Sequence, residues 1–94
     1  MFRSTVTGKI KDEPEYKYIN ENLCCNFTLI CINKYANKKV TSFVRCTVWN
    51  ELAKYMQETW KTGATIIGSG EASNIPYSGY YTYNLTLTNI EIIL

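Results

Sequence analysis

A chain of 94 residues with 46% hydrophobic residues, two prolines and a net charge of +2 has the composition of one globular domain spanning residues 1–94. It carries no histidine, so the commonest general base is missing, and no run of residues approaches the roughly 20 apolar positions that cross a bilayer. The N-terminal Met-Phe-Arg-Ser-Thr-Val-Thr lacks the apolar core of a signal peptide. An enzyme, a membrane protein and a secreted protein are therefore not expected, and the expected location is the cytoplasm.

In chain order, Arg3–Ile10 alternates and is rich in Thr and Val, the pattern of a strand. Asp12–Tyr18 is charged and contains Pro14, so it reads as a loop or a distorted edge, and Asp12, Glu13 and Glu15 as a solvated acidic turn. Leu23–Ile32 is a second strand whose core face is Cys25, Phe27, Leu29 and Cys31. Asn33–Lys39 is a polar, lysine-rich connection leading into a third strand, Thr41–Trp49. One helix follows: Asn50 suits its N-cap, Glu51 the positive end of its dipole and Gly63 a left-handed stop. Leu52, Met56, Thr59 and Trp60 recur near helical spacing and make its packing stripe, with Trp60 expected in the core. Thr65–Asn74 returns to strand, where Gly68 and Gly70 invite a bulge. Pro76-Tyr77-Ser78-Gly79 makes a hairpin tip, and Tyr80–Leu94 alternates to the end. The expected fold is all-β with one helix: a five-stranded OB-fold barrel with the helix between strands three and four.

Four cysteines raise the questions of metal and disulfide, but no pair has the spacing of a zinc knuckle. Cys25, Cys31 and Cys46 share register with apolar neighbours and should pack as small hydrophobes, while Cys24 points to the other face as the exposed, oxidisable thiol. Gly68-Ser69-Gly70 lacks the lysine and the strand-to-helix context of a phosphate loop. No metal, cofactor or small-molecule substrate is expected.

The third strand carries the chemistry. One of its faces holds Val44, Cys46 and Val48, an ordinary core set. The other holds Phe43, Arg45, Thr47 and Trp49, two large aromatics around a cation where small polar residues would be usual. Unpaired bases stack on aromatic rings while cations meet their phosphates. Charge is distributed accordingly. From Glu21 to Glu51 no acidic residue intervenes, and Lys34, Lys38, Lys39 and Arg45 give that segment +4, leaving −2 elsewhere.

Gly8-Lys9-Ile10 followed by Asp12 to Tyr18, Asn26-Phe27-Thr28-Leu29, Phe43-Val44-Arg45-Cys46, Trp49-Asn50-Glu51-Leu52-Ala53, Lys61-Thr62-Gly63 and Gly70-Glu71 run in order along almost the whole chain. In this order the sequence resembles the bacterial-type single-stranded DNA-binding protein (SSB) family. The resemblance implies base stacking at Tyr35, Phe43, Trp49 and Tyr77, the positions that match the family's aromatics. Arg45, Lys34, Lys38, Lys39 and Arg3 are the expected phosphate contacts. It implies single-stranded DNA as partner, service in replication, recombination or repair, and a homotetramer or dimer whose pairing edge is Arg3–Gly8. Two departures stand out: the run Ala72-Ser73-Asn74-Ile75-Pro76 has no basic residue, and the sequence ends at Leu94 without the family's acidic tip. The second reads as a minimal form, whether truncated or of viral or mobile-element origin. The alternatives are a protein-interaction OB subunit of primosome or conjugation type, favoured by that uncharged hairpin, and an RNA-binding OB domain.

Overall fold

The computed structural model describes residues 2–35, 38–77 and 80–94. Six strands and one helix follow in the order β1 (Phe2–Ile10), β2 (Glu15–Ile19), β3 (Asn22–Tyr35), β4 (Lys38–Trp49), α1 (Glu51–Thr59), β5 (Thr65–Tyr77) and β6 (Tyr80–Ile93). Strand order in the sheet is β1-β5-β6-β4-β3-β2, and β1 also pairs with β3 through Lys9–Ile30 and Ile10–Leu29. That second pairing closes β1, β3, β4, β6 and β5 into a barrel, leaving β2 as an edge strand outside it. The molecule is an OB-fold.

Of the two readings of Asp12–Tyr18, the edge holds for its second half, and the strand count changes with it. Glu15–Ile19 is a strand, paired antiparallel to β3 from Glu15–Asn26 to Ile19–Asn22, and so the helix falls between β4 and β5. Pro14 stands just before this strand, where its missing N–H costs the ladder nothing. The hairpin strands also run further than their composition indicated. Tyr35 pairs with Lys38 and Tyr77 with Tyr80, so β3 and β4 extend through Lys34 and Lys39. The remaining loop residues of these two hairpins, 36–37 and 78–79, lie outside the described residues.

Alternation fills the barrel. Cys25, Phe27, Leu29 and Cys31 from β3 meet Cys46 and Val48 from β4, Val6 from β1, Ile66 from β5 and Leu85, Leu87 and Ile90 from β6. The inward phase of β6 changes between Leu87 and Ile90 because Thr88 is an extra residue: Gly70 faces Leu87 while Ser69 faces Asn89. The Thr88 hydroxyl accepts from the Arg3 guanidinium at 3.0 Å and donates to the Ser69 carbonyl at 3.4 Å. Gly70 is needed there, since a Cβ would run into the Thr86 carbonyl oxygen and approach the Leu87 Cα to 2.7 Å.

The helix is held by packing rather than by its cap. Asn50 makes no side-chain capping bond; it adopts φ 51° and turns its amide back to β3. Its Oδ1 accepts from the Leu23 N–H at 3.2 Å and its Nδ2 donates to Asn22 Oδ1 at 3.2 Å. Ala53 and Met56 are fully buried beneath the barrel. Burial of the methionine contributes roughly 1.5–3 kcal/mol, more than the ~1 kcal/mol of an ordinary cap. The helix stops at Trp60, whose N–H donates to the Met56 carbonyl, and Gly63, at φ 91°, belongs to the turn beyond. Trp60 packs against the core with its indole nitrogen buried and without a partner among the described residues.

Candidate nucleic-acid interface

Register brings the outer faces of β3 and β4 together in pairs: Ile30 opposite Phe43, Thr28 opposite Arg45, Asn26 opposite Thr47 and Cys24 opposite Trp49. Directly opposed residues of an antiparallel pair share a face. Phe43, Arg45, Thr47 and Trp49 thus stand on one outward surface, with Phe43 54% and Trp49 38% exposed and Arg45 open to solvent between them. Six residues of strand set the two rings about 20 Å apart. A hydrogen bond from Thr47 Oγ1 to Asn26 Oδ1, at 2.7 Å, ties the middle of this surface. β6 extends it on the other side, with Asn84 beside Arg45 and Thr86 beside Thr47.

The loop between β1 and β2 folds onto the same surface. The Lys11 N–H donates to the Thr28 carbonyl at 2.9 Å, and the Lys11 ammonium lies 5.3 Å from the centre of the Phe43 ring. Beyond it, Asp12, Glu13 and Glu15 join Asn26, Thr28 and Arg45 around a cleft of about 210 Å³. The acidic turn is therefore a neighbour of the central cation, and Arg45 is not in a uniformly basic field. Sequence reasoning missed both features. Lys9 and Lys11 fall outside the acid-free segment, and only the β1–β3 closure brings Lys11 to Phe43.

The other expected contacts are distributed differently. Lys39 is exposed on β4. Tyr35, Lys34 and Lys38 sit where β3 and β4 meet and Tyr77 at the end of β5, but their side chains lie outside the described residues. Arg3 is not brought to Arg45. It stands on β1 opposite Glu71, with β5 and β6 intervening before β4, and its guanidinium is engaged by Thr88.

Cys24 corrects an expectation. It does face outward with Trp49, but it is only 2% exposed, because β3 runs between β2 and β4 and Lys17 and Trp49 flank it in register. The Asn26 amide also donates to its sulfur at 3.7 Å. The shielding depends on β2, the segment whose composition left a loop and an edge open. Cys25, Cys31 and Cys46 are buried as expected. Burial pushes the Cys25 thiol up to about 11 and the Cys46 thiol up to about 12. Cys31 moves the same way. These thiols stay protonated near neutral pH and act as apolar filling.

The model of the single-strand binding protein family matches residues 1–91. The chain belongs to that family. Among solved structures it is similar to the small single-stranded DNA-binding protein of Streptomyces coelicolor, with a TM-score of 0.83 and 14% identity over 99% of this chain and 93% of that one. It is also similar to the second single-stranded DNA-binding protein (SSBb) of Mycobacterium smegmatis, with a TM-score of 0.76 and 17% identity over 95% of this chain and 85% of that one. No curated protein matches it in sequence. At these identities the two structures speak for the fold, while the family match rests on the sequence. Among the described residues no helix is long and apolar enough to cross a membrane.

Proposed function

We propose that this protein binds single-stranded DNA without sequence preference, as a non-catalytic binder. The observation that carries the reading is the outward face of β4, where Phe43 and Trp49 are both exposed with Arg45 between them. Rings left this open on a paired strand present apolar area that packing does not use, and every base offers a π-face to stack on them. Arg45 and Lys39 neutralise phosphates, with Lys34 and Lys38 along the same hairpin, and Tyr35 and Tyr77 extend the track at the hairpin ends. Arg3, held by Thr88 beyond two intervening strands, is the weakest member of the set. Family membership supports the same reading and, with it, service in replication, recombination or repair in the cytoplasm.

The protein acts as a homo-oligomer, paired through β1. Over Phe2–Lys9 one edge of β1 is bonded to β5, whereas β3 takes the other edge only at Lys9 and Ile10. Among the described residues, Arg3–Gly8 therefore offers an unpaired edge, which a second copy can extend. Light scattering reads the number of copies.

Titration with oligo-dT, followed by tryptophan fluorescence, tests the binding reading. Trp60 packs on the core and serves as the internal reference. Wild-type emission falls on binding at low salt, and Trp49→Phe abolishes most of that fall. Trp49→Ala weakens binding by roughly 1–3 kcal/mol. Wild-type protein whose fluorescence ignores the oligomer at low salt overturns the reading.

A further inference from the structure

The cation over Phe43 is not one of the basic residues of the β3–β4 hairpin. Lys11 comes from the loop after β1, its backbone fixed by the bond from its N–H to the Thr28 carbonyl, and Thr28 is the residue directly opposite Arg45. The Lys11 side chain is exposed, and its ammonium lies 5.3 Å from the centre of a ring that is itself 54% open to solvent. A stacked base needs the layer about 3.5–4.0 Å above the ring. The ammonium stands over that same space, so a base taking this face of Phe43 displaces it. An exposed contact of this kind is weaker than a stacked base, so the exchange runs toward the base. The displaced cation stays tethered within reach of the phosphate that arrives with that base. Toward β2, the carboxylates of Asp12, Glu13 and Glu15 line the cleft beside Arg45 and disfavour a phosphate inside that cleft, leaving the Phe43 side of Arg45 open to it.

From this geometry we infer that Lys11 is a further single-strand-binding residue: in the free protein its ammonium covers Phe43, and in the complex it moves onto the phosphate of the nucleotide stacked there. The inference rests on the single-strand reading of this face. It makes stacking and neutralisation at Phe43 one coupled event, and it extends the cationic surface beyond the acid-free segment of the sequence.

Oligo-dT affinity is measured from 50 to 200 mM NaCl, by Trp49 fluorescence, for wild type, Lys11→Gln and Lys11→Arg. One lost phosphate contact flattens the logarithmic salt slope by about 0.7, so over this range wild type loses about 2.5-fold more affinity than Lys11→Gln. Lys11→Gln binds more weakly than wild type at 50 mM, and Lys11→Arg keeps the wild-type slope. Tighter binding by Lys11→Gln with an unchanged slope overturns the inference and makes Lys11 a cover only. Equal affinity and equal slope also overturn it. Failure of the underlying reading is distinct, because it appears in the wild-type titration alone as an absence of quenching.

Discussion

Arg45 lies at the centre of the exposed face, but two influences act on it in opposite directions. On the proposed reading, Phe43 in the middle of β4 and Trp49 at its end place bases, and hence phosphates, near it; Asp12, Glu13 and Glu15 line the cleft at its side. On the same reading, a guanidinium with carboxylates on its β2 side favours a phosphate path along β4 over one across β2. Arg45→Ala should flatten the salt slope of oligo-dT binding by about 0.7. Arg3→Ala should flatten the slope less, because the Arg3 guanidinium is engaged by Thr88 at the bulge in β6. An equal flattening by both variants would show that the strand also passes over β1. The ring pair Phe43 and Trp49 was legible from alternation alone, since residues of like parity on a strand share a face. Lys11 was not, because its nearness to Phe43 comes from the pairing of β1 with β3, which no local pattern records.

At the scale of elements, bends that the sequence announces through glycine are enforced by backbone contact. Gly70 abuts the Thr86 carbonyl and the Leu87 Cα where β6 carries its extra residue, and neither is the yielding end of a flexible side chain. Gly70→Ala should destabilise the fold by roughly 1–3 kcal/mol, read as a lower urea midpoint with an unchanged m-value. A neutral result would mean that the two strands separate freely at the bulge. The composition pointed to a bulge at these glycines, and it lies there. The use of Asn50 was not legible: a good N-cap residue instead takes positive φ and ties the start of β3 to the end of β4, because both partners, Asn22 and Leu23, lie one strand away. Glu15–Ile19 was legible only as a loop or an edge for a related reason. An edge strand buries little, so its sequence keeps the charge of a loop while its backbone pairs with β3.

For the whole molecule, the cysteines link the core to pH. An unfolded thiol titrates near its ordinary value of 9.0, whereas Cys25 rises to about 11 and Cys46 to about 12, with Cys31 raised as well. Above pH 9 the unfolded chain therefore binds fewer protons than the folded one, and stability falls as pH rises. The contribution is intact below about pH 9 and is lost on the way to pH 11–12. Urea midpoints under reducing conditions should be level near neutrality and decline from pH 9 to 10.5, more gently for Cys46→Ala. A level midpoint throughout would mean that the thiols are open to water in the folded protein.

The sequence by itself determined the strands that alternate, the helix after the third barrel strand, the OB barrel and the exposed rings of β4, because periods of two and of 3.6 are written in adjacent residues. Only the tertiary structure decided which loop reaches that face, that Cys24 is covered, that Arg3 stands apart from Arg45, and that Lys11 caps Phe43. Those are relations between strands, set by closure and register, and they join residues whose neighbours in the chain carry no trace of one another.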